Sequence, residues 1–130
     1  MRTIKFRGKS ILTDEWLYGD LVHSADNKRF GILVNDKDSY DECEVTPETV
    51  GQFTGLYDCD GKRIYEGDIL KWKADNRLYA VIFKWGMFYA SVEVCNKETY
   101  GGFPLHTLAG DEKDVEIVGN IYDNPELLKK

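Results

Sequence analysis

Apolar and polar residues alternate in short runs along most of this chain, and the runs are bounded by closely spaced Gly, Asp and Asn. Residues 3–7 set Ile4 and Phe6 on one side and Lys5 and Arg7 on the other, the period-2 pattern of a half-buried strand. Residues 16–23 give a second strand, with Trp16, Tyr18, Asp20 and Val22 on one face and Leu17, Leu21 and His23 on the other. Polar residues 24–28 form a turn, so residues 29–35 return as the third strand of a meander. Residues 36–44 read as an acidic loop, with Cys43, Glu44 and Val45 able to add a short strand. Thr46, Pro47 and Glu48 form a helix-start signal, and Gly51 limits it to about one turn.

The densest punctuation lies at residues 52–73. Residues 52–54 form a short strand, and the run from Asp58 to Gly61 is a hairpin turn in which Gly61 supplies the positive φ. Ile64 and Tyr65 form the return strand, and Gly67 with Asp68 makes a second tight turn into residues 69–73. Residues 78–85 and 87–94 are long strands broken at Gly86, residues 96–102 a loop, and residues 105–108 a short strand or turn. Residues 115–122 give the last strand, and Asn124-Pro125 opens a short helical tail. The pattern predicts a mainly β chain of eight or nine short strands with very little helix. Residues 78–83 are apolar on both faces, which places that strand between two layers or against another subunit.

Composition agrees with this class. The 130 residues fit one domain or two small subdomains, and the 8 Tyr, 6 Phe and 3 Trp favour pleated surfaces. No apolar run approaches the ~20 residues of a membrane span. The start of the chain lacks the apolar core of a signal peptide, and Cys43, Cys59 and Cys95 are an odd, unpaired set. Both features predict a cytoplasmic protein without membrane contact. The net charge of −6 disfavours a non-specific nucleic-acid binder. Four basic residues and no acid fall in residues 1–9, whereas residues 36–44 hold five acids and one Lys. Such opposite clusters suit self-complementary contact between subunits, or an acidic face that mimics DNA.

Several chemistries are weighed and set aside. Asp58, Asp60, Glu66 and Asp68 do not form an EF-hand, because Gly61 falls at the fourth position after Asp58 and not the sixth. Asp58, Gly61, Gly67 and Asp68 are each accounted for as structural turn residues. Three Cys and two His lack the short paired spacing of structural zinc sites. No nucleophile elbow, His-Glu-x-x-His or phosphate-binding glycine loop occurs, so neither catalytic nor metal residues nor a cofactor are expected. His23 closes its strand and reads as a surface residue. Basic groups beside an aromatic, Lys71, Lys73, Lys84 and Trp85, make a possible interaction surface of the kind that tracks a nucleic-acid backbone. Trp72 points away from Lys71 and Lys73 and reads as core.

The run Gln52-Phe53-Thr54-Gly55-Leu56, then Asp58, Gly61-Lys62 and Ile64-Tyr65-Glu66-Gly67-Asp68-Ile69, resembles the signature of the YopX family of phage and prophage proteins. The opening Ile4-Lys5-Phe6-Arg7 and the tail from Glu116 to Leu128 are similar to the same family's ends, so the resemblance covers the chain. It implies a mainly β fold in which an N-terminal β-rich subdomain (residues 1–51) precedes an SH3-like barrel with a short helical tail (residues 52–130). It also implies a protein encoded by phage or prophage and working in the bacterial host cell, with no assigned biochemical role and no functional residues to carry over. The resulting expectation is a non-enzymatic accessory protein acting by protein–protein contact, as a homo-oligomer or on a host or phage protein. The alternative is a nucleic-acid-binding or DNA-mimic modulator of host or phage DNA metabolism.

Overall fold

The computed structural model describes residues 1–36, 39–95, 98–110 and 114–128. The chain is mainly β and antiparallel, and it divides into two compact units, Met1–Phe53 and Thr54–Lys130.

The first unit is built from β1 (Phe6–Lys9), β2 (Trp16–His23), β3 (Phe30–Asp36), β4 (Ser39–Val45), a 3-10 turn at Pro47–Thr49 and the start of β5 (Gly51–Tyr57). Its strands lie in the order β4-β3-β2-β1-β5. The sheet curls until β4 meets the end of β1. Thr46 N–H donates to Lys9 O at 2.9 Å, Ile11 N–H donates to Glu44 O at 3.2 Å, and Ser10 bridges Val45. Two glycines permit the curl. A Cβ on Gly8 would lie 2.9 Å from the Val45 side chain, and one on Gly19 would lie 2.0 Å from the Leu33 carbonyl oxygen.

Three sequence expectations change in this unit. The first strand begins at Phe6, and its buried side chain is Arg7 (5 % exposed), while Ile4 is exposed. Burial of Arg7 is compatible with its charge because the guanidinium carbon sits 4.5 Å from the ring centroid of Trp16 on β2. The acidic loop expected at residues 36–44 is largely strand β4, paired with β3 from Phe30↔Val45 to Asp36↔Ser39. Val45 is buried, Cys43 and Glu44 are half-buried and Glu42 is exposed. Residues 37 and 38 lie outside the described residues.

The second unit contains the end of β5 paired with β6 (Arg63–Tyr65), then β7 (Asp68–Trp72), β8 (Leu78–Lys84), β9 (Met87–Cys95), β10 (Glu98–Pro104), the helix α1 (Leu105–Ala109), β11 (Val115–Asn120) and a 3-10 turn at Pro125–Leu128. Five strands form a sheet in the order β10-β9-β8-β7-β11. Leu70, Tyr79, Val81, Ala90 and Val115 line its core face, joined by Ile64 and by Leu105, Leu108 and Ala109 of α1. Leu105, Leu108 and Ala109 are spaced i, i+3, i+4, which is why this segment is helix and not the strand or turn its length indicated. The loop expected at residues 96–102 is, over its described part, strand β10. A Cβ at Gly102 would lie 2.7 Å from Ala90 O, so the glycine allows close pairing with β9.

The two-sided apolar character of β8 has a specific origin. Tyr79 and Val81 face the core cluster, and Ala80, on the opposite face, is also fully buried. Tyr79 packs in an aromatic triangle with Trp72 and Phe103, whose ring centroids are 5.9 and 6.2 Å away. Trp72 is accordingly part of the core, and its buried Nε1–H has no acceptor among the described residues.

The Tyr79 hydroxyl donates to the Asp75 carboxylate in the β7–β8 turn. Burial, reinforced by that carboxylate, pushes the phenol up to about 12 from an ordinary 10.0. Burial of Asp75 opposes its ionisation, but the Tyr79 hydroxyl and the Arg77 amide outweigh it and hold the carboxyl below its ordinary value. The folded state therefore binds the phenolic proton more tightly than the unfolded chain. The resulting stability is complete below the unfolded value of 10.0 and is lost as pH rises towards about 12. Urea unfolding should show a loss on the order of 2 kcal/mol across this interval, and the Tyr79→Phe variant should lack that slope.

Candidate interaction surface

Four turn residues singled out in the sequence hold the strand ends of the second unit. Asp58 is 2 % exposed, and its carboxylate accepts three amides: Asp60 and Lys62 within the β5–β6 turn, each at 2.9 Å, and Ile117 of β11 at 3.2 Å. Gly61 takes φ +79° in the same turn. Gly67 takes φ +96°, and its amide donates to Val81 O at 2.8 Å. Asp68 is equally buried and accepts the Tyr65 amide at 2.7 Å. Each carboxylate is thus occupied by backbone N–H donors. Among the described residues, no three His, Cys, Asp or Glu side chains converge in a way that would hold a metal ion.

The basic and aromatic residues expected to share a surface fall in two places. Lys71 lies on β7 across from Glu116 of β11 and Leu78 of β8. Lys73 follows the strand, and its amide donates to Asp114 O at 2.7 Å. Lys84 and Trp85 stand at the other end of β8, six residues beyond Leu78, which is roughly 20 Å along a strand.

The Lys84–Trp85 end is the more distinctive. Residues 84–87 form a two-residue hairpin turn in which Trp85 (φ 54°) and Gly86 (φ 76°) are both left-handed. That conformation suits the right-handed twist of the flanking strands, but Asn or Gly normally supplies its first position. A bulky residue there is an outlier. Trp85 is 76 % exposed, Phe83 56 % and Met87 42 %. The Trp85 ring meets Tyr89 edge-on with centroids 5.6 Å apart, and the Lys84 ammonium lies 4.4 Å above its face. Phe83 likewise meets Phe88 edge-on at 5.2 Å. The tip therefore presents exposed apolar side chains on both of its faces.

A second feature belongs to the first unit. A groove of about 410 Å³ opens beside the β2–β3 turn, with His23, Arg29, Phe30, Gly31, Glu42 and Glu44 among its lining residues. At Gly31 the neighbours crowd in, and a Cβ would lie 3.3 Å from Cys43 O and from the side chains of Glu42 and Val22. Arg29 Nη2 and Glu44 Oε1 are 2.9 Å apart. His23 Nδ1 lies 2.9 Å from Ser24 O, so this ring is oriented by backbone. The sequence reading placed His23 at the surface and had no means of locating the groove, which depends on pairing β3 with β4.

Residues 5–129 match the family model described as YopX protein. The chain belongs to the YopX family. Its fold is similar to the crystal structure of protein EF1440 from Enterococcus faecalis, with a TM-score of 0.61 and 22 % sequence identity, covering 99 % of this chain and 100 % of that one. At this identity the likeness concerns the fold alone. No curated protein matches the chain.

Within this YopX-family chain the two groups of residues make opposite predictions. Asp58→Ala leaves buried amides without acceptors and should cost on the order of 3 kcal/mol in denaturant unfolding. Trp85→Asn should change stability by less than about 1 kcal/mol. Relief of a left-handed backbone, worth about 1–2 kcal/mol, offsets the lost Tyr89 and Lys84 contacts, which are worth about as much.

Proposed function

We propose that this YopX-family chain is a non-enzymatic, phage- or prophage-encoded accessory protein of the bacterial cytoplasm that acts through protein–protein contact and self-associates. The observation that carries this reading is the hairpin tip. Trp85 and Met87 are exposed on one face of the tip, where Tyr89 steadies Trp85 without covering it, and Phe83 is exposed beside Phe88 on the other. Aromatic residues and Met are enriched in the centres of protein interfaces. Trp85 occupies a turn position that its own backbone disfavours, so the fold gains little from having it there.

We read the second unit as an SH3-like barrel. The meander β7–β10, the short α1 and the return of β11 beside β7 support this reading.

The nucleic-acid alternative draws on Lys84 above Trp85. Lys71 and Lys73 do not extend that site, because they belong to the far end of β8. The acidic segment that would serve DNA mimicry lies mostly outside the described side chains.

Sedimentation velocity over a wide concentration range, at low and high salt, tests self-association. A rise in mass with concentration is the expected result, and a monomer under every condition would overturn it. Fluorescence anisotropy with single- and double-stranded oligonucleotides at low salt should show no binding at tens of micromolar.

A further inference from the structure

We draw no further inference here: the strongest candidate, the exposed apolar patch at the β8–β9 hairpin tip (Phe83, Trp85 and Met87), carries nothing beyond the contact surface already described, because nothing in the structure shows what covers it.

Discussion

A buried carboxylate that accepts three backbone amides is the constraint on which the second unit turns. Asp58 closes the β5–β6 turn through Asp60 and Lys62 and holds β11 through Ile117. The adjacent Cys59 amide donates to Val115 O, so turn and strand are tied at two neighbouring points. Burying a charge is costly unless donors surround it, and here the donors are main-chain groups that would otherwise lack partners. Asp68 repeats the device one turn later with Tyr65. A group of acids and glycines that resembles an active-site loop in composition therefore serves strand geometry. Occupied carboxylates leave little capacity for a ligand, and this moves attention to the surfaces away from the turns.

The first unit solves a different problem. A short sheet with a small core must cover its own face, and it does so by curling β4 round to β1. The curl requires the backbone to approach a side chain at Gly8 and a carbonyl at Gly19. It also gathers Arg7 and Trp16 into a buried cation–aromatic pair. At Gly31 the same close approach serves the other pairing, β3 with β4, beside which the groove opens.

Legibility in the sequence followed the range of the interaction responsible. Turns at Asp58–Gly61 and Gly67–Asp68 were readable because Asp and Gly act within a few residues of themselves. Strand β2 was readable over its full length because turn signals bound its apolar run on both sides. By contrast, β4 carries so many acids that its composition argued for a loop, and its pairing with β3 is what makes it a strand. Arg7 was placed outward because a charge in a strand normally is, and the compensating Trp16 ring lies on the next strand. A loop was expected at residues 96–102 because the close approach of Gly102 to Ala90 depends on pairing with β9. Lys71, Lys73, Lys84 and Trp85 were grouped by type, whereas the length of β8 separates them. The sequence had marked Trp85 as a candidate contact. The unusual feature, a tryptophan in a left-handed turn position, needed the hairpin register to be seen.

The link between Asp58 and Ile117 also bears on how the chain is made. The two residues are 59 positions apart. At about 5–20 residues per second on the ribosome, Asp58 emerges several seconds before the strand that completes its set of donors. During that interval the first unit, which holds β1 to β4 and the start of β5, has everything it needs to close. The second unit has its meander but lacks β11, the strand beside β7. Synthesis thus imposes an order: an early unit that can fold as it appears, and a late one that must wait, with an ionised carboxylate still in water, for its last strand.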